Sequence, residues 1–199
     1  MKYSRIPVIA TLSLLAACGS DSKSPTDINN GNISGTASFT YTGGGGGSYS
    51  ATGAIASSAS STTAHTTTWA TGWKDNSDNS TNIAANIPRT GGLADFLVIT
   101  INSQTTGAAT IDVNCIPTNT TSCNEVVFVI GMNASGETFS YGCLLESGTI
   151  TILSISSTNA TGSFAGSGTC FNDSGATSAF TVTNGSFNVP LLANVPGSI

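Results

Sequence analysis

The chain has 199 residues, with five Lys and Arg against ten Asp and Glu, a formal charge of −5. So few cations cannot neutralise a run of phosphates, which excludes nucleic acid as a partner, and they form no basic patch for anionic lipid. Charged residues make up 8% and hydrophobic residues 39%; disordered chains pair low hydrophobicity with high charge, so this chain is expected to fold, under a surface of Ser, Thr, Asn and Gly.

The chain opens with Lys2 and Arg5, continues through a short apolar stretch from Ile6, and reaches Leu14-Leu15-Ala16-Ala17-Cys18. A basic start, an apolar centre and a small-residue end are the order of a secretory signal. The apolar part is shorter than the roughly 20 residues that cross a bilayer. Leu15-Ala16-Ala17-Cys18 resembles the lipobox of bacterial lipoproteins. The resemblance implies cleavage before Cys18 and acyl chains, palmitate among them, on its thiol and new amine. One acyl chain holds a protein only marginally, whereas two or more hold it firmly. Gly19 follows the cysteine where Asp is absent, which by the same resemblance implies the outer membrane of a double-membraned cell. The expected organisation is a signal peptide over 1–17, a lipidated Cys18 with a polar tether over 18–31, and an all-β domain over 32–199. Removal of Lys2 and Arg5 leaves Lys23, Lys74 and Arg89 against ten acids, a net of −7.

From Ile33 the texture changes to short groups of Phe, Tyr, Val, Ile and Thr alternating with small polar residues and separated by Gly, Asn, Ser and Pro, which is the strand pattern. Strands are expected over 36–42, 48–56, 66–71, 96–101, 110–114, 126–132, 138–143, 149–154, 161–169 and 180–191. The last is expected to break near Asn184-Gly185, a pair that favours a type I′ hairpin turn. Phe96-Leu97-Val98-Ile99 and Val126-Val127-Phe128-Val129-Ile130 do not alternate. Strands buried on both faces look like that, so these two should be central. Gly162, Gly166 and Gly168 lie inside a strand-like segment, where glycines mark bulges or a strong bend. About ten short strands predict a single antiparallel β-sandwich or barrel. The C-terminal segments Gly148-Thr149-Ile150-Thr151-Ile152, Ala160-Thr161-Gly162-Ser163-Phe164 and Thr183 to Leu191 are similar to small β-rich bacterial lipoproteins of unknown function; this implies a fold type and no activity.

With Cys18 assigned to the anchor, Cys115, Cys123, Cys143 and Cys170 remain, and an even number in an exported chain predicts two disulfides. Three pairings are open; Cys115–Cys123 and Cys143–Cys170 are favoured, contributing about 2.5 and about 3.5 kcal/mol by loop entropy. Zinc is the rival, but the spacings are wide, there is no CxxC and the sole histidine, His65, is far away.

The motifs that could carry chemistry are each matched by a plainer reading. Gly43–Gly47 lacks the helix and Lys of a phosphate loop and reads as a long, mobile hairpin loop. In Lys74–Ser80, Asp75, Ser77 and Asn79 alternate as calcium ligands do, but Ser80 and Asn86 stand where an EF-hand needs Gly and Glu, so a solvated loop is expected. His65, in a Thr-rich stretch, is expected exposed at a strand start; no Gly-x-Ser-x-Gly elbow accompanies it as it would in a hydrolase. Glu125 and Glu146 read as strand-end residues rather than a glycosidase pair. Trp69 and Trp73 share a face if the strand runs through Thr71-Gly72. They are either core aromatics or a platform for a ligand. No catalytic residue, cofactor or metal is singled out. The sequence therefore predicts a non-enzymatic, envelope-anchored binding or structural domain, with a glycan or a small apolar molecule as ligand. The alternative is a hydrolase of glycans or esters on the secreted side.

Overall fold

A computed structural model describes residues 33–112 and 123–192. The strands are β1 (Gly35–Thr42), β2 (Gly47–Gly53), β3 (Trp69–Asp75), β4 (Ser80–Arg89), β5 (Leu93–Ile101), β6 (Gly107–Thr110), β7 (Glu125–Asn133), β8 (Tyr141–Ile155), β9 (Asn159–Phe171) and β10 (Thr177–Leu192), with one short helix, α1 (Ser61–Thr66). Pairing closes β3-β4-β5-β7-β8-β9-β10 into a ring of seven strands. An odd number of strands cannot alternate in direction all the way round. One neighbouring pair must run parallel, and that pair is β10–β3, joined at Leu191↔Gly72 and Leu192↔Trp73. The fold is thus a barrel, the second of the two expected architectures. The β1–β2 hairpin adds to β10, and β6 adds to β8.

The two non-alternating segments are central, as expected. β5 lies between β4 and β7, and β7 between β5 and β8. Leu97, Ile99, Val126 and Phe128 point into the barrel core. Their neighbours Phe96, Val127 and Val129 point outward, into a second apolar cluster with Ile55, Ala64, Trp69, Trp73 and Met132. Each such side chain contributes about 1.5–3 kcal/mol when removed from water. Inside the barrel, the Phe39 ring lies 5.0 Å from Phe128, 5.1 Å from Tyr49 and 5.6 Å from Phe164, so aromatic side chains occupy the centre.

β1 and β2 alternate instead. β1 buries Ala37, Phe39 and Tyr41 and exposes Thr36, Thr40 and Thr42. The glycines of β9 allow close approach: a Cβ on Gly162 would lie 2.2 Å from the Phe187 ring, and one on Gly168 would lie 1.9 Å from the Leu144 carbonyl oxygen. Opposite them, β8 shifts register at Leu145/Ser147 and Ile152/Ser154, so the expected bulges are present.

Several boundaries differ from the expectation. Asn184-Gly185 is no hairpin turn: β10 runs straight through it with a bulge, Asn184 taking φ 54° and the register shifting between Val182 and Gly185. The left-handed conformation that suits a turn also suits a bulge. The strand expected at 66–71 begins only at Trp69, because Ser60 caps α1, its Oγ accepting the Thr63 N–H at 3.2 Å. Residues 141–143 of one expected strand and the whole of 149–154 belong to one long β8, while 138–140 precede it without strand structure. β4 was not expected at all. Its Ala84, Ala85, Asn86 and Pro88 have low strand propensity, yet small residues suit a strand walled by packed clusters on both faces. Gly43–Gly47 does connect a hairpin, but a tight one: Gly46 N–H donates to the Gly43 carbonyl at 2.9 Å.

Candidate functional site

The strand does run through Thr71-Gly72, and Trp69 and Trp73 fall on one face. That face is covered. Trp69 is fully buried, and its Nε1–H donates to the Ala64 carbonyl at 2.7 Å. The ring that could have met a sugar instead anchors α1 to the barrel. Trp73 is buried beside it.

His65 is not exposed at a strand start. It lies in α1 at 4% exposure, its ring 5.8 Å from that of Phe96 and its Nε2 3.0 Å from the Gly92 carbonyl. The helix turns Ala64 and His65 inward, His65 over Phe96, and leaves its threonines exposed, which conceals the buried face in the sequence. Asn86 completes this corner, its Nδ2 donating to the carbonyls of His65 and Thr67 at 3.1 and 2.7 Å. The Asn86 Oδ1 is buried without a protein partner.

The carboxylates are separated by role. Asp95 faces inward from β5 at 6% exposure; its Oδ2 lies 2.6 Å from Nη2 of half-exposed Arg89, and its Oδ1 accepts the Gly131 N–H at 2.9 Å. One pair thus joins β4, β5 and β7 at a barrel end. Sequence reasoning did not single it out, because neither residue sits in a motif. Burial, reinforced by the Asp95 charge, holds the phenol of Tyr49 well above its usual pKa, and Tyr41 is raised by the same causes. The Tyr49 hydroxyl is buried without a protein partner. Glu125, at the start of β7, is pushed up to about 6 by burial alone.

Lys74–Ser80 forms the β3–β4 turn. Asp75 Oδ1 accepts the Ser77 N–H at 2.9 Å, and Asp78 Oδ1 accepts the Ser80 N–H at 2.9 Å. These oxygens therefore shape the turn, which Gln104 clamps by donating to the Asp75 and Ser80 carbonyls.

Cys143 and Cys170 form the expected disulfide between directly opposed positions of β8 and β9, Cα–Cα 3.9 Å. Gly44 packs over it: a Cβ there would lie 3.2 Å from Cys170 Sγ and 3.3 Å from Cys143 Sγ. Cys123 is also disulfide-bonded; its expected partner, Cys115, lies outside the described residues. So does Cys18, with the signal and tether segments over 1–31.

Among the described residues, the outer face of β2-β1-β10-β9-β8-β6 is open to solvent. Strand register aligns its side chains in rows across the strands. One row is Ser50, Ser38, Ser186, Ser163 and Thr151. A second is Thr52, Thr36, Asn188, Thr161 and Ser154. A third carries Ser48, Thr40 and Thr183, then Ala165, Thr149 and Thr110. All are accessible to solvent, and none is ionisable. Hydroxyls pair within rows, Ser38 with Ser186 at 3.2 Å and Ser154 with Thr161 at 2.7 Å. The alternation Thr36-Ser38-Thr40-Thr42 announces one column of this array, but the rows exist only after the strands are aligned. No family model, curated protein or solved structure matches this chain.

Proposed function

We propose that this protein is a lipoprotein of the cell envelope, anchored through Cys18 at the outer membrane, and that its barrel works by binding or by structural presence rather than by catalysis. The observation that carries the reading is the use to which the reactive side chains are put. His65 faces a backbone carbonyl and an aromatic ring, and Asp95 is committed to Arg89 and Gly131. Neither supports the hydrolase alternative, which would need His65 or clustered acids in an open site. Aromatic rings occupy the interior where a small apolar ligand would have been enclosed, so the outer surface is the better candidate for contact with a glycan. The anchor is supported by the basic-apolar-Leu-Ala-Ala-Cys order of residues 2–18. The test is fractionation of cells making the full chain or its Cys18→Ala variant. The wild-type chain is expected in the membrane fraction and the variant in the soluble fraction or retained as precursor. Identical distribution of the two would refute the anchor.

A further inference from the structure

We propose that the hydroxyl rows on the outer face of β2-β1-β10-β9-β8 form a docking track for a neutral, flexible polysaccharide. The inference deepens the binding reading given above and rests on it. The three central rows contain no ionisable side chain, so a polyanion or polycation would leave water for a surface that offers it no counter-charge. A neutral polyhydroxyl partner exchanges hydroxyl for hydroxyl.

Neighbouring strands lie about 4.7–4.9 Å apart, so the row Ser50-Ser38-Ser186-Ser163-Thr151 sets out hydroxyls at a constant step over roughly 19 Å. Each hydroxyl has one proton and two lone pairs. In the Ser38–Ser186 pair one proton is used, and the other can still be given outward. The row therefore presents donors and acceptors in repetition, which suits a ligand made of repeating units.

A crystalline ligand fits this face less well than a flexible one. A regular hydroxyl array could also order water against ice. Sheets twist by about 20–25° per strand, roughly 80–100° across five strands. A rigid lattice plane would meet only two or three strands at once, whereas a flexible chain can follow the twist of one row. Trp69 and Trp73 lie on the other wall, so binding here uses hydroxyl edges and not ring stacking. Single contacts are weak, and many anchored copies on one surface would add avidity.

The test is electrophoresis of the folded full chain through native gels containing dextran, amylose, mannan or, as a charged control, alginate, with mobility taken relative to a polymer-free gel. Retardation by at least one neutral polymer and not by alginate is expected. Ser163→Lys with Ser186→Lys should abolish it, while Ser57→Lys with Ser58→Lys, an equal charge change in the exposed loop before α1, should leave it intact. Far-UV circular dichroism checks that both variants keep the fold. No retardation by any neutral polymer, equal retardation by alginate, or retardation that survives the Ser163/Ser186 pair would overturn the proposal. Inhibition of ice recrystallisation without polymer binding would overturn it in favour of ice. None of these results bears on the Cys18 anchor, which fractionation tests separately.

Discussion

The barrel has two unlike walls. The β3-β4-β5-β7 wall is buried on both faces, between the aromatic interior and the cluster under α1. The β8-β9-β10-β1-β2 wall is buried on one face and hydroxyl-covered on the other. Both are antiparallel sheet built from the same few residue types, and what differs is the outward position. On the first wall that position is often a large apolar side chain, as at Phe96 and Val127, and a further layer of chain covers it, whereas on the second even Leu153 of β8 stays exposed. Where it is Ser or Thr, solvent is left in contact. The covered wall carries packed side chains on both faces, and the open wall leaves its outer hydroxyls to solvent.

That contrast predicts where substitution will be felt. Phe128 sits where the two walls meet, in ring contact with Phe39, Tyr41, Tyr49 and Phe180. Phe128→Ala should cost about 3–5 kcal/mol in chemical denaturation; a change below 1 kcal/mol would show that the interior is not packed as described. On the open wall the largest effect should come from Cys143–Cys170. Replacing both cysteines by Ala should lower stability by about 3.5 kcal/mol, by the loop entropy of its 27-residue separation.

Trp69→Phe keeps the ring on the covered wall but removes the donor to Ala64. A loss of about 1–3 kcal/mol is expected from the orphaned carbonyl, read from the denaturation midpoint. Glu125 gives a pH signature. Its folded pKa of about 6 lies above the ordinary 4.5, so the folded state favours the protonated acid. The associated stability is fully present below pH 4.5 and is lost as pH rises to 6, by at most about 2 kcal/mol. Glu125→Gln should flatten that segment of the stability profile; an unchanged slope would mean that Glu125 is not its source. On the open wall, Ser186→Lys should change stability by less than about 0.5 kcal/mol, and a larger loss would mean that the hydroxyl rows help hold the barrel.

The difference between the walls also decided what could be read beforehand. The unbroken apolar runs of β5 and β7 identified the doubly buried strands, and the alternation of β1 identified a singly buried one. β4 escaped because a strand squeezed between two clusters takes Ala and Asn, which carry no strand signal. α1 escaped because its six residues are mostly Thr, with no apolar period. The bulge at Asn184-Gly185 carries a turn signal because bulge and turn require the same left-handed backbone. Of the candidate residues, Trp69 and Trp73 share a face because β3 continues through Gly72, a condition their spacing leaves open, and spacing cannot tell a face turned to water from one covered by α1. Arg89–Asp95 and the hydroxyl rows depend on strand register, which no local pattern encodes.

The proposed membrane anchor rests on residues near the start of the chain. Mass spectrometry of protein extracted from native membranes tests it directly. The predicted result is an N-terminal peptide that begins at Cys18 and carries acyl groups on its thiol and amine. A peptide that begins at Met1, or a Cys18 terminus without acyl mass, would contradict it.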